Sequence, residues 1–408
     1  MAAVVLGLVA VAAALVLVAA PRLLRDKVIA AARERGVSLT IGDVAIALDG
    51  FTLRDVGVTT ADLRDVQIAA RSITAPWSAT PKDVTAAGVV VSLRGPFAAI
   101  RRGEDGALGR GGDTAIHVSD ARVVWVDAMG PRSRFEASGL AGDAGRGEIH
   151  VTGGALQGEA GGVRFGPWRV RHDHTAKETR TRIELDADEH DPSTLVVTRD
   201  AAGASALEAH VHKGPVGRLG LASPTIDAGR DVVAEVEARV AWTSPDDRAP
   251  PPTSGAAAAR APERADGSLV ATVHALPVPG AGMNDAKVDV AFSGDPAGPM
   301  PLTRGAFVVG PFEGDVSGTV AARAAGAKID LAFKSRPVPC ARFAAEQAAA
   351  ALGPLAALAG SVPALERAVS GNVTVAGTIV VDTDDPAATR VAARPSNDCG
   401  ISISLGSP

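Results

Sequence analysis

Most of this chain consists of short runs in which apolar and polar residues alternate. From Val37 onward every second residue is apolar, the phase shifts at Gly42, and the alternation then resumes. Successive side chains of a strand point to opposite faces, so this period predicts strands with one dry and one wet face. Around Ile183 the same period assigns Arg182 and Glu184 to the wet face. The pattern predicts a mainly β protein with antiparallel strands.

The first residues follow a different pattern. Residues 2–20 contain no charged or polar side chain. A helix needs about 20 apolar residues to cross the hydrocarbon core of a bilayer, so we predict a transmembrane helix over residues 1–21. A cleaved signal peptide is the alternative, because Val18, Ala19 and Ala20 resemble a cleavage site. Pro21 and the length of the run favour an uncleaved anchor, and both interpretations export the remainder.

The charges around this segment point to the opposite orientation. Arg22, Arg25 and Lys27 follow the apolar run and no basic residue precedes it, which on the positive-inside rule would keep the bulk of the chain in the cytoplasm. Asp26 partly offsets these charges, and two cysteines favour an oxidising compartment. We therefore expect export.

Amino-acid composition and the positions of turn and helix-ending residues divide the rest of the chain into regions. Short helices are predicted at 22–35, which is amphipathic and ends at Gly36, and at 341–370, which is rich in Ala and Leu. The predicted regions are an anchor (1–21), an N-terminal β meander (22–110), a central β region (111–243), a Pro/Ala-rich linker or loop (244–266) and a C-terminal β region with the helical insert (267–408).

Cys340 and Cys399 are the two cysteines of the chain. In an exported protein a pair of cysteines favours one disulfide, which here would fix the C-terminal strand to the last β region. Two buried thiols are the alternative.

The sequence contains little that indicates catalysis. No nucleophile elbow, phosphate loop, zincin helix or paired-cysteine motif occurs, so we expect a non-enzymatic protein without a cofactor. A net charge of −5, 3% aromatic residues and no Tyr argue against nucleic-acid binding.

Two histidine pairs are the weak candidates for a metal site. His172 with His174, and His210 with His212, are spaced so that each pair lies on one face of a strand and could share a zinc ion. The alternative is solvated or satisfied histidines, because His210 and His212 fall opposite Val211 and its apolar neighbours, and no third ligand is fixed. We therefore predict no metal site.

Several phrases resemble the AsmA-like family of bacterial envelope proteins. An apolar anchor and a turn of amphipathic helix precede "LRDVGV" (53–58), "LRDVQI" (63–68) and "VVVSL" (89–93), and residues 117–140 are similar to the strand pair that often follows. The resemblance covers about residues 37–140, and basic residues before the anchor, usual in the family, are missing.

The resemblance implies an antiparallel sheet curled into an elongated groove, whose apolar concave face binds lipid acyl chains. A closed β-sandwich is the alternative, because both architectures need one dry face on each strand. The lining near the membrane is predicted from the alternation: Val37, Leu39, Ile41, Val44, Ile46, Leu48, Val89, Val91 and Leu93.

These observations lead to a functional hypothesis. We expect a single-pass inner-membrane protein, with its bulk in the periplasm, that binds or transfers membrane lipids and contacts the membrane and other envelope proteins. The alternative is a non-catalytic β-scaffold or accessory segment of a cell-wall system, because AsmA-like regions also resemble segments joined to peptidoglycan glycosyltransferases. This chain lacks the signature of that enzyme.

Overall fold

The computed structural model describes most of the chain after residue 20. The described residues are 21–34, 37–60, 66–78, 82–95, 114–128, 132–145, 148–186, 191–224, 227, 229–243, 264–278, 282–322, 327–345, 369–382 and 390–401. The predicted anchor lies outside them apart from Pro21. None of the helices in these ranges is long and apolar enough to cross a membrane.

The described chain is mainly β. Helix α1 spans 21–34, helix α2 is described over 340–345, and a 3₁₀ turn spans Val216–Leu219. Backbone hydrogen bonds join twenty-two of the described strands into one mostly antiparallel sheet. The strands are β1 Val37–Ile46, β2 Gly50–Thr60, β3 Val66–Pro76, β4 Asp83–Arg94, β5 Ala115–Val126, β6 Arg134–Gly145, β7 Glu148–Thr152, β8 Ala155–Ala160, β9 Val163–His174, β10 Glu178–Glu184, β11 Thr194–Asp200, β12 Ala204–Pro215, β13 Leu221–Ala222, β14 Val233–Thr243, β15 Arg264–Val278, β16 Gly282–Gly294, β17 Pro299–Val309, β18 Phe312–Ala322, β19 Ala327–Ser335, β20 Val338–Pro339, β21 Val369–Ser370, β22 Asn372–Asp382, β23 Arg390–Asn397 and β24 Gly400–Ile401.

The chain forms two compact units. Unit 1 comprises Met1–Ala160 and Gly166–Thr181, and unit 2 comprises Gly161–Phe165 and Arg182–Pro408. In unit 1, strands β1 to β4 form the predicted meander. Strand β5 then pairs with β4 in parallel, which the sequence did not indicate. A parallel pair requires a crossover connection of a dozen or more residues, and the chain between Arg94 and Ala115 is long enough to supply it.

Cross-strand register aligns the apolar residues of unit 1 on one face. We call this surface the unit 1 apolar face. Its rows, each read across successive strands, are Val37 with Val66 and Leu93; Leu39 with Val58, Ile68 and Val91; Ile41 with Val56, Ala70 and Val89; Val44 with Leu53, Ile73, Ala86 and Val118; and Ile46 with Phe51 and Ala75.

A line of backbone irregularities crosses these strands between the third and fourth rows. Asp55, Gly88 and Asp120 have φ angles of 51°, 62° and 52°, in the left-handed region. At each such residue, two positions that point away from the apolar face, instead of one, lie between one apolar residue of the strand and the next. Glycine and aspartate adopt this conformation at lower cost than most residues. The phase shift expected at Gly42 is therefore confirmed, as part of a line that extends across several strands.

Helix α1 covers part of the unit 1 apolar face. Leu24, Val28 and Ile29 recur at helical spacing and pack against a buried cluster that includes Ile41 and Val56. Leu23, which the sequence pattern assigned to the apolar side of this helix, is instead 62% exposed. It lies one position from Leu24, about 100° around the helix, and so misses the sheet.

Unit 2 is a second run of antiparallel strands with its own apolar face. We define the unit 2 apolar face by three rows: Val211 with Val236, Ala271, Val288 and Phe307; Ala209 with Ala238, Leu269 and Val290; and Leu207 with Val240, Gly267, Phe292 and Leu302. The predicted alternation of β14 is confirmed, because Glu235, Glu237 and Arg239 are exposed.

Glycines make room for aromatic rings on this face. A Cβ atom at Gly267 would lie 2.2 Å from the tip of the Phe292 ring, and one at Gly377 would lie 2.5 Å from the tip of Phe333. Real Cβ atoms do not approach other atoms so closely. The Phe292 and Phe333 rings therefore occupy the space that a side chain at position 267 or 377 would need.

One prediction about the wet face is wrong. Glu184, predicted to face water, is buried, and its Oε1 atom lies 3.4 Å from Arg182 Nε. A carboxylate is buried at tolerable cost when a cation pairs with it, and alternation alone cannot reveal that pairing.

The C-terminal part of unit 2 has a small core around helix α2. Phe307, Phe312 and Val316 are buried with Cys340, and Phe343 of α2 packs against Phe312 at 5.7 Å between ring centroids. The predicted helix at 341–370 thus begins as expected. Residues 346–368 lie outside the described ranges, and residues 369–370 form strand β21 instead of helix.

The predicted disulfide is confirmed. Cys340 and Cys399 are bonded, with 5.7 Å between their Cα atoms, so the alternative of two thiols is excluded. Beside the bond, β21 pairs with β24. The disulfide therefore links the start of α2 to the end of the described chain.

Replacing Asp55 tests the line of irregularities. Asp55→Val should lower the free energy of unfolding by about 1–2 kcal/mol, because a β-branched residue is strained at positive φ. Asp55→Gly is the matched control and should cost less than about half of that. Urea unfolding followed by circular dichroism measures both, and equal losses for the two variants would contradict the assignment.

Removing the disulfide should destabilise unit 2. The bond closes a loop of 59 residues, and the chain-entropy model gives about 4 kcal/mol for a loop of that length. The double variant Cys340→Ala/Cys399→Ala should unfold at lower urea concentration than the oxidised wild type. Reduced wild type should behave like the variant. An unchanged midpoint would show that the loop is constrained by packing alone.

Candidate functional site

The burial of the unit 1 apolar face varies along its rows, and its main buried cluster lies where α1 packs. Ile41 and Val44 are buried there, and Val37, Leu39, Val89, Val91 and Leu93 are partly exposed. Ile68, in the same row as Leu39 and Val91, is 36% exposed. Seven of the nine predicted lining residues therefore fall on the first three rows and at Val44 of the fourth, and five of those seven are partly exposed.

The remaining two predicted lining residues lie toward the end of the sheet. Ile46 is 39% exposed at the end of β1, and Leu48 is fully exposed in the turn between β1 and β2. In the sequence, the alternation of apolar residues runs from Val44 through Ile46 to Leu48, but strand β1 ends at Ile46. Leu48 therefore does not share the rows that Leu39 and Val91 form.

The unit 2 apolar face shows the same distribution of burial. Phe307, Val316 and Cys340 are buried near α2. Farther along the rows, Val236, Val240 and Leu269 are partly exposed. In each unit, taken by itself, a short helix packs on one part of an apolar sheet face, and other apolar residues of that face are partly exposed.

His172 and His174 lie within the unit 1 apolar side, in phase with Val170 on β9. The Nδ1 atom of His172 lies 2.8 Å from Thr181 Oγ1, and that of His174 lies 2.7 Å from Thr179 Oγ1, both in hydrogen bonds. Burial lowers the pKa of His172 below its ordinary value, and His174 contributes in the same direction. Both rings are hydrogen-bonded polar groups on the apolar side of the sheet.

The second histidine pair lies on the opposite side of its strand from Val211. The His210 and His212 rings meet edge to face at 4.4 Å between centroids, and His212 Nε2 lies 2.9 Å from Asp191 Oδ1. Across the described ranges, no group of three or more His, Cys, Asp or Glu residues is arranged to hold a metal ion. Neither histidine pair therefore supports the zinc hypothesis.

A row of alternating acids and histidines crosses the other face of unit 1. We call it the acid–histidine row, and it runs from His117 on β5 through Asp143 and His150 to Asp173 on β9. His117 Nδ1 is 2.5 Å from Asp143, and His150 Nδ1 is 2.9 Å from Asp173. The bond to Asp173 raises the pKa of His150. Sequence inspection missed this row because it depends on the register of four strands.

A shallow hollow of about 230 Å³ lies on the same polar face, between β1 and β4. Its walls are mostly hydroxyl, amide and small side chains, including Ser38, Thr40, Thr59, Gln67 and Ser92. The volume is below that of typical small-molecule sites, and hydroxyl and amide groups interrupt the lining. The hollow is therefore a poor match for a lipid, and the two apolar faces are the better candidate sites.

Comparison with protein families, curated proteins and solved structures finds no match to this chain. Chemical interpretation therefore rests on the geometry. The two apolar sheet faces are extended surfaces that hydrocarbon could contact. On the unit 1 side, the hydrogen bond between His172 and Thr181 places a polar group among the apolar residues.

His150 and His172, whose pKa values are shifted in opposite directions, should titrate in a defined order. The proton on His150 is stabilised by Asp173, so it should persist to higher pH than the proton on His172, which burial disfavours. Ring signals in ¹H–¹⁵N NMR spectra measure both, with His150→Gln and His172→Gln to assign them. The reverse order would contradict the placement of the two rings.

The same pKa shifts determine in which direction each histidine changes the free energy of unfolding as the pH changes. The contribution of His172 is complete above the ordinary pKa of 6.5 and is lost as the pH falls through the lower, folded-state pKa. The contribution of His150 is complete below 6.5 and is lost as the pH rises through its higher folded-state pKa.

Proposed function

We propose that this protein binds membrane lipids through the apolar faces of its two units and does not catalyse a reaction. The observation that carries the proposal is the burial pattern. In both units a buried cluster lies where a helix packs on the sheet, and many other apolar members of the rows are partly exposed.

Partly exposed apolar rows are unfavourable in water, and hydrocarbon would relieve that cost. Burying apolar surface stabilises by about 25 cal/mol per Å², or about 0.8 kcal/mol for each CH₂ group. Scattered apolar residues need no such explanation, but contiguous apolar surface indicates a binding partner. On the unit 1 face, Leu39, Val58, Ile68 and Val91 follow one another in one row and none of the four is fully buried, so the partly exposed surface is contiguous.

The dimensions of this face suit an acyl chain. Successive strands lie about 4.8 Å apart, so a row crossing β1 to β5 extends for about 19 Å. A hydrocarbon tail lying along such a row would contact one side chain on each strand. The polar outer face, with ion pairs such as Asp143 with His117, would keep the same sheet soluble.

The sequence supplies the connection to a membrane. The apolar run at residues 2–20 ends directly before α1, whose inner side packs on the unit 1 apolar face. In this proposal residues 1–21 anchor the chain in the inner membrane and the bulk lies in the periplasm. Lipid would then reach the unit 1 face from the adjacent bilayer, as the resemblance to AsmA-like proteins implies.

Site-specific photo-crosslinking tests the proposal with a matched pair of neighbours. Val91 lies on the unit 1 apolar face, and Val90, which is 36% exposed, lies on the opposite face of the same strand. Benzoylphenylalanine at position 91 should form lipid adducts in cells, detected by mass spectrometry, and the same residue at position 90 should not.

The corresponding pair in unit 2 is Val240 and Arg239, of which the first should cross-link to lipid. Adducts at neither apolar position, or equal adducts at both members of each pair, would contradict lipid binding at these faces. A lipid-free protein that cross-links to a cell-wall enzyme instead would support the scaffold hypothesis.

A further inference from the structure

One end of the unit 1 sheet exposes three large apolar residues, of which two, Leu48 and Trp77, lie outside the apolar rows. Leu48 is fully exposed, Trp77 is 46% exposed and Ile46 is 39% exposed. Leu48 lies in the turn between β1 and β2, and Trp77 directly follows β3, next to that turn. We call these three residues and the turn at 47–49 the hairpin tip.

Several contacts hold the hairpin tip in place. The Trp77 indole Nε1–H donates to the Ala47 carbonyl oxygen at 2.9 Å, and its backbone N–H donates to the Asp49 carbonyl oxygen at 3.3 Å. The indole ring also packs against Phe51, with 5.4 Å between centroids. Trp77 is thus fixed beside the turn, and its exposure is built into the fold.

Helix α1 places its N-terminus toward the same end of the sheet. Two residues separate the end of α1 at Glu34 from the start of β1 at Val37, so the two ends are close. The helix is about 21 Å long, and it packs against Ile41 and Val44, partway along β1. A helix that ends beside Val37 and packs Leu24, Val28 and Ile29 on this cluster would run back over the sheet and bring Pro21 toward the Ile46 end.

The sequence before Pro21 identifies what lies beyond that end. Residues 2–20 form the apolar run predicted to cross the bilayer, and it ends at Pro21. Arg22, Arg25 and Lys27 follow it and are exposed on α1, where they would meet anionic headgroups. Tryptophan is enriched at the membrane–water interface because its ring is apolar and its N–H is polar.

We propose that the hairpin tip inserts into the membrane interface, so that Leu48, Ile46 and Trp77 form a second attachment to the bilayer beside the N-terminal anchor. A single apolar helix leaves the attached unit free to tilt and rotate about it. A second contact would fix the orientation of β1 to β3 relative to the bilayer. This inference does not depend on lipid binding by the apolar faces.

Depth-dependent quenching of tryptophan fluorescence tests the inference on the full chain. The protein is reconstituted into phosphatidylcholine–phosphatidylglycerol nanodiscs, with or without phospholipids brominated near the top of the acyl chains. Emission is compared between wild type, Trp77→Phe and the control Trp242→Phe, whose tryptophan lies on β14 of unit 2. Subtracting the spectra isolates the signal of each ring.

The Trp77 signal should fall about twofold in brominated nanodiscs and should be protected from aqueous iodide. The Trp242 signal should be less affected by the bromolipid. Leu48→Asp should restore iodide access to Trp77, because it places a charge at the tip without altering a buried residue. Circular dichroism of each variant verifies that the fold is retained.

Four results would overturn the inference. The first three are equal iodide access of Trp77 with and without nanodiscs, bromolipid quenching that Trp77→Phe does not remove, and failure of the chain to associate with nanodiscs. Protection of Trp77 from iodide in nanodisc-free, concentrated protein would also overturn it, because a second copy of the chain would then be the occupant of the tip.

Discussion

Each strand must present its apolar residues on the same face as those of its neighbours, because a slip of one residue would turn all of them to the other side. In unit 1 that register is maintained across a line of left-handed residues at Asp55, Gly88 and Asp120. The line is accommodated by every strand that it crosses. The Arg71 guanidinium reaches over Gly88 to Asp120 at 3.4 Å, which links β3 to β5 on the polar side of this line.

The aligned rows have a consequence for solvation. A sheet with one apolar face must cover that face with another layer. Here α1 and α2 each cover a part of one face, and the apolar residues farther along the rows are partly exposed. Lipid hydrocarbon is a partner whose chemistry matches this remaining surface. His172 and His174, hydrogen-bonded to threonine hydroxyls, give the unit 1 surface one polar position.

Features that depend on local sequence could be predicted. The alternation of apolar and polar residues identified the strands and the two faces of β14. The order of apolar residues also showed the phase shift at Gly42. The presence of two cysteines in a chain predicted to be exported predicted the disulfide. Features that depend on register could not. The parallel pairing of β4 with β5 and the acid–histidine row require knowledge of which strands are adjacent.

Some errors came from extending a correct pattern too far. Leu48 continues the phase of Val44 and Ile46, but the strand has already ended, so its side chain lies at the tip of a turn. Glu184 follows the polar phase of β10, but pairing with Arg182 accompanies its burial. A period describes the direction of a side chain within a strand, and it does not specify where the strand ends or which charges meet.

The central claim is that the apolar faces hold lipid, and native mass spectrometry of the full chain released from nanodiscs tests it most directly. The variant Val91→Asp/Leu93→Asp alters the apolar face, and Val90→Asp/Ser92→Asp adds the same charges to the opposite face of the same strand. The account predicts bound phospholipid on the wild type and on the second variant, and its loss from the first. A folded first variant that retains as much lipid as the wild type would contradict the account.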